Sequence, residues 1–220
     1  MTRIFRLDAS IRGEASVSRD LSDTLLDTLV SELGDVQVTR RDLVADPVPA
    51  SVWSLAANAG HLPEEQRSAE QIAAVAYART LADEVDAADV LIIGAPFYNF
   101  GVSQHTKAWL DTVITDGRFG PGTRPGTGRT AFLVASRGGG YSEGAPRYGW
   151  DHGTPWLERI FRDVFGYQTE VIETDLTLAE HTPAMAHLVD LAHQNRARAH
   201  ESAQEHGRRI AASLTESAAA

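Results

Sequence analysis

Apolar residues recur along this chain with two different periods. Short runs at residues 4–7, 36–39, 90–95, 130–135 and 170–174 have the length and branching of strands. Between them, residues 18–33 place Leu21, Leu25, Leu26, Leu29, Val30 and Leu33 at the spacing of one helical face. Further helices are expected from about 64 to 88, near 155–165, and over much of 183–217. Residues 46–63 form a stretch rich in proline and alanine, and the Gly/Pro-rich stretch 117–128 reads as a surface loop. The run Val90-Leu91-Ile92-Ile93-Gly94-Ala95 shows no polar alternation, the mark of a parallel strand buried on both faces.

Strands that alternate with helices imply a parallel sheet, because each right-handed crossover lays its helix on one face or the other. The expected fold is therefore α/β: a doubly wound five-stranded parallel sheet in a three-layer α/β/α sandwich. Neither an internal repeat nor a composition shift divides the chain, so residues 1–220 are expected to form a single domain.

Composition narrows the function classes. The 20 basic and 30 acidic residues leave a formal charge of −10, which argues against nucleic acid or an anionic membrane as partner. There is no cysteine, so disulfides, thiolate metal sites and a cysteine nucleophile are excluded, and redox chemistry would need a bound cofactor. No metal site is expected. The N-terminus lacks the apolar core of a signal peptide and no run reaches the length of a membrane span, which points to the cytoplasm.

Candidate chemistry gathers in the loops that follow strands one, three and four, where open α/β sheets bind ligands. After the first strand comes Asp8-Ala9-Ser10-Ile11-Arg12-Gly13-Glu14-Ala15-Ser16-Val17-Ser18, and then a helix. Free N–H groups at a helix start form an anion site, to which Ser10, Ser16 and Ser18 would add hydroxyls. Helix capping is the other explanation of Ser16 or Ser18, though not of Ser10. The loop lacks the glycines of a dinucleotide fingerprint and the Gly-Lys-Ser/Thr ending of a P-loop, so a single terminal phosphate fits better than a pyrophosphate. After the third strand, Pro96-Phe97-Tyr98-Asn99-Phe100 offers either a wall for a planar heterocycle or rings that pack over the sheet edge. After the fourth, Ser136-Arg137-Gly138-Gly139-Gly140 allows close backbone approach to a ligand, where an ordinary turn would need one glycine.

The order and spacing of Ser16-Val17-Ser18, Pro96-Phe97-Tyr98-Asn99-Phe100 and Ser136-Arg137-Gly138-Gly139 resemble the FMN-dependent NADH:quinone oxidoreductase and azoreductase family, of flavodoxin-like fold. Arg41-Asp42-Leu43, Asp151-His152 and Pro155-Trp156-Leu157 extend the likeness to about residue 200. The resemblance implies that Ser10, Ser16, Val17 and Ser18 hold the FMN phosphate. It assigns Phe97, Tyr98, Asn99 and Phe100 to the isoalloxazine and ribityl, and Ser136, Arg137, Gly138 and Gly139 to the pyrimidine edge. It further implies NADH or NADPH as co-substrate and a small aromatic electron acceptor, a quinone or azo compound, reduced by a ping-pong mechanism.

A homodimer with the site at its interface is also implied, with Trp156, Leu157, Phe161 and Phe165 contributing to the contact. No side chain is expected to act as catalytic acid, since a lone loop histidine such as His152 is more commonly a structural donor. Two segments depart from the family pattern, 117–121 and 161–166. Both are expected to border the substrate, with Arg162 and Asp163 making that side more polar. The rival readings are a flavodoxin-type electron carrier, against which the long segment at 43–63 counts, and a specialised biosynthetic flavin reductase of the same family.

Overall fold

The computed structural model describes residues 1–219. Five strands, β1 (Thr2–Asp8), β2 (Val36–Asp42), β3 (Val90–Pro96), β4 (Thr130–Ser136) and β5 (Gln168–Thr174), form one parallel sheet in the order β2-β1-β3-β4-β5. The expected doubly wound sheet is therefore present. Alternation along each strand sends successive side chains to opposite faces. Ile4, Val90, Ile92, Phe132, Val134 and Ile172 meet Leu21, Leu25 and Leu29 of α1 (Val17–Leu33) together with Ala199, Ala203 and Ile210 of α6 (Val189–Ala219). Phe5, Leu7, Leu91, Ile93, Ala131 and Leu133 face the other way, under α3 (Ala69–Asp86), α4 (Gln104–Val113) and α5 (Thr154–Glu158). Both faces are thus buried, which is why the central strands read as unbroken apolar runs.

Several boundaries differ from the sequence expectation, each for a local reason. The long helix begins at Ala69 rather than near residue 64, because Ser68 and Gln71 form a reciprocal capping box, while Glu64–Gln66 makes only a 3-10 turn after Pro63. The stretch 46–63 holds α2 (Val52–Ala59), whose Val52 and Ala56 pack on Ala74 and Ala78 of α3. Helix α4 was not expected at all. Ser103 caps it by accepting from the Thr106 N–H at 3.0 Å, and Thr106, Trp109, Leu110 and Val113 form its buried stripe.

The helix near 155–165 is α5 continued by π turns over Arg159–Val164, residues 183–188 form 3-10 turns before α6, and β5 starts at Gln168. Among the described residues no helix is long and apolar enough to cross a membrane.

Candidate active site at the carboxyl edge of the sheet

Helix α1 starts at the carboxyl end of β1 with donors to spare. Ser16 caps it by accepting from the Arg19 N–H at 3.3 Å. Among the described residues the N–H groups of Val17 and Ser18 have no partner, as the first turn of a helix dictates. Ser18 Oγ lies 3.1 Å from Ser16 Oγ, and both side chains are buried. Arg19, in the first turn of α1, is taken by Asp42 at 2.6 Å and lies 3.9 Å from Asp8. An anion here would be held by neutral hydroxyls, backbone donors and the helix dipole.

Ser10 behaves differently from the other two serines. Its Oγ accepts from the Arg12 N–H at 3.3 Å and lies 3.5 Å from the Tyr98 hydroxyl, so local turn bonding accounts for it. Ser18 is the serine whose position capping leaves unexplained.

The second loop turns within two residues. Tyr98 and Gly101 exchange N–H to carbonyl bonds at 3.0 and 3.2 Å, which puts Asn99 (φ 50°) and Phe100 (φ 70°) in the left-handed region. Asn tolerates this well, but for Phe it costs on the order of 1 kcal/mol, and strain of this kind gathers at functional sites. The Tyr98 hydroxyl accepts from the Ile11 N–H at 3.0 Å, so this ring ties the second loop to the first. Phe97 stands between loops: its N–H bonds the Ser136 carbonyl at 2.9 Å, and its ring meets Tyr141 edge-on at 5.9 Å. Gly153 is required beside it, since a β-carbon there would lie 2.6 Å from the Phe97 ring.

The third loop is organised by Arg137, a residue 6% exposed. Its guanidinium pairs with Asp151 and Asp175 at 2.7 Å each and with Glu173, and it lies 5.6 and 5.7 Å from the Phe97 and Tyr141 rings. Asp151 in turn accepts from the Gly153 and Thr154 N–H groups at the start of α5, and Asp175 accepts from the Tyr141 N–H. Arg137 therefore points into the protein and locks β4, β5 and α5 together, rather than reaching outward as a ligand-binding side chain.

Beyond it, the Gly138 and Gly139 carbonyls accept from Leu178 and Leu176 at 3.2 Å, while among the described residues their N–H groups have no partner. Across a trans peptide an N–H points opposite to the preceding residue's carbonyl, and the Arg137 and Gly138 carbonyls accept from Thr177 and Leu178 at 3.1 and 3.2 Å, so the Gly138 and Gly139 amides face away from residues 177–178.

Three loops thus converge: unspent donors at α1, an aromatic turn, and unspent amides after β4. Sequence reasoning missed Asp151, Glu173 and Asp175 as parts of this assembly, whereas Tyr141 and Trp150 are readable from the chain as candidates for the pocket mouth. Trp150 packs edge-on against Phe100 at 5.4 Å, and the His152 N–H bonds the Phe100 carbonyl at 3.0 Å. The ion-pair partners were within reach, because the register that sets Ser136 beside Thr174 brings Arg137 next to Asp175.

The two divergent segments lie elsewhere. Residues 117–121 follow α4 and precede β4, and residues 161–166 precede β5, so both sit at the amino edge, opposite the three loops of the same chain. Arg118 pairs there with Asp83 and Asp86 near the end of α3. Asp163 is exposed and pairs with Arg159 and Arg162. Arg162 and Asp163 therefore do not line the site of their own chain. Leu157, Phe161 and Phe165 are wholly buried in the core, so they are not contact residues for a second copy. Trp156, Ile160 and Val164 are the partly covered residues of that segment.

A family model described as flavodoxin-like fold matches residues 2–169. The chain is 36% identical over 219 residues to the FMN-dependent NADH:quinone oxidoreductase of Streptomyces coelicolor, covering 98% of each sequence. It is 34% identical over 208 residues to the protein of the same name from Parafrankia sp., covering 93% of this chain and 98% of that one. Among solved structures, an FMN-dependent NADH-azoreductase from Bacillus anthracis in complex with FMN superposes with a TM-score of 0.75 at 16% identity, over 96% of this chain and 100% of that one.

Proposed function

The chain belongs to the FMN-dependent NADH:quinone oxidoreductase family, of flavodoxin-like fold, and on that premise we propose that it binds FMN and uses NADH or NADPH to reduce quinones, azo compounds or related aromatic electrophiles. The observation that carries this reading is the pair of unspent donor sets on either side of one aromatic turn. The hydroxyls of Ser16 and Ser18 and the N–H groups of Val17 and Ser18 suit a terminal phosphate. The Gly138 and Gly139 amides can only donate, so they select the acceptor-rich pyrimidine edge of an isoalloxazine. Phe97 and the strained Asn99-Phe100 turn supply the flat surface between.

When bound, FMN supplies a centre that takes hydride at N5 from a nicotinamide and passes two electrons to an acceptor. The protein binds and orients it, and leaves one face open. Both substrates must use that face in turn, which makes the kinetics ping-pong. In this reading residues 1–220 act as a single FMN-binding domain in the cytoplasm. A spectrum of the purified protein tests it: flavin absorption bleached by NADH under anaerobic conditions and restored by a quinone is expected. Protein that carries no flavin and takes up none on addition would overturn it.

The active form in this reading is a homodimer with the site at its interface. Ile11, Tyr148 and Trp150 around the site are 61%, 63% and 52% exposed, more apolar surface than a finished pocket mouth would show. Sedimentation is expected to give twice 23.8 kDa. A fully active monomer would remove the shared site.

A further inference from the structure

The segment between β4 and α5 carries a cation that no nearby carboxylate neutralises. Asp151, Glu173 and Asp175 all pair with Arg137, and among the described residues Arg147 takes part in no ion pair. Arg147 is nonetheless placed. Its carbonyl accepts from the Trp150 N–H at 3.0 Å, closing a turn through Gly149 at φ 81°. Its guanidinium lies over Gly139, where a β-carbon would collide with Nη1 and stand 3.3 Å from Cζ. The only unpaired charge of this segment's arginines thus rests on the glycine whose amide is unspent.

We infer that Arg147 is the electrostatic partner of the FMN pyrimidine edge and stabilises the negative charge that develops there; this rests on the FMN reading above. A hydride brings two electrons and one proton to N5, the nicotinamide leaves as a pyridinium, and the extra electron pair settles on N1 and the C2 carbonyl. The Gly138 and Gly139 amides offer only dipoles to that charge. The neighbouring cluster opposes it: one arginine and three carboxylates sum to 1 − 3 = −2. Arg147 brings the local sum to −1 and sets its guanidinium against the Gly139 backbone, next to an amide that would meet the cofactor edge. Pre-placed charge at the position where charge develops is the electrostatic device most effective in catalysis.

Sulfite tests this without turnover. Its sulfur lone pair forms a bond to flavin N5 and pushes an electron pair onto N1 and the C2 carbonyl, so its affinity reports the charge near that edge. With FMN-loaded protein, Arg147→Gln is expected to raise the sulfite dissociation constant at least tenfold and to lower the two-electron midpoint potential by about 30 mV, the same tenfold for a two-electron couple. Arg147→Lys, which keeps the charge, is expected to recover most of both. A flavin-loaded Arg147→Gln protein with sulfite affinity within twofold of wild type and a potential within about 9 mV of it, the same twofold, overturns the inference alone. Wild-type protein that binds no FMN overturns the functional reading and the inference with it.

Discussion

Arg137→Met is expected to destabilise the protein by about 3–5 kcal/mol, the range found when one partner of a buried ion pair is removed and the other charge is left behind. The cost falls unevenly on the three acids. Glu173 is 51% exposed, and water can replace most of what it loses. Asp151 and Asp175 are 17% and 10% exposed, and each also anchors backbone N–H groups of the loop, so neither can swing out to solvent without undoing the start of α5 or the Tyr141 turn. Against a typical total of about 5–15 kcal/mol this is a large fraction. A chain of this size should lose roughly 10 °C or more in melting temperature.

FMN affinity should fall as well, because the same guanidinium holds the Phe97 ring and the glycine shelf in register. Arg137→Lys keeps the charge but not the planar fork and should lie between the two. A methionine variant within about 1 kcal/mol of wild type in urea unfolding would mean that the acids are solvated and that the cluster is not what holds the loops together.

Arg137 also marks the limit of what could be read from the chain. Its residue type and its place after β4 were visible, and they suggested contact with a ligand. The opposite orientation depends on Asp151, fourteen residues on, and on Glu173 and Asp175 at the end of β5, which no local pattern announces. The glycines beside it were legible, because close backbone approach needs Gly wherever the chain folds. The parallel sheet was legible in the apolar runs, since burial on both faces removes the polar alternation.

Helix α4 escaped because its buried stripe of Thr106, Trp109, Leu110 and Val113 includes a threonine and sits between two glycine-bearing loops. Phe161 and Phe165 were read as surface contacts, although an aromatic pair four residues apart on a helical segment is equally the signature of a core face. The structure puts them against each other at 5.8 Å in the interior.

The serines at α1 offer the sharpest separation of cofactor binding from folding. Ser16 has two duties, as helix cap and as donor to a phosphate, so Ser16→Ala should cost about 0.5–2 kcal/mol of stability in addition to affinity. Ser18 has no capping duty: its hydroxyl is buried and bonds only Ser16 Oγ. Ser18→Ala should therefore leave the melting temperature of the flavin-free protein nearly unchanged while weakening FMN by about tenfold or more, since a charge-assisted hydrogen bond contributes roughly 1.5–3 kcal/mol. The double variant should lose more than either single one but less than their product, because the two hydroxyls share a bond and the Val17 and Ser18 amides remain. Riboflavin, which lacks the phosphate, is the control. Its affinity should be the same in wild type and Ser18→Ala, so that the preference for FMN over riboflavin collapses in the variant. If Ser18→Ala keeps wild-type FMN affinity in a fluorescence titration, the hydroxyls serve only to start the helix, and the anion site must be sought elsewhere along the edge.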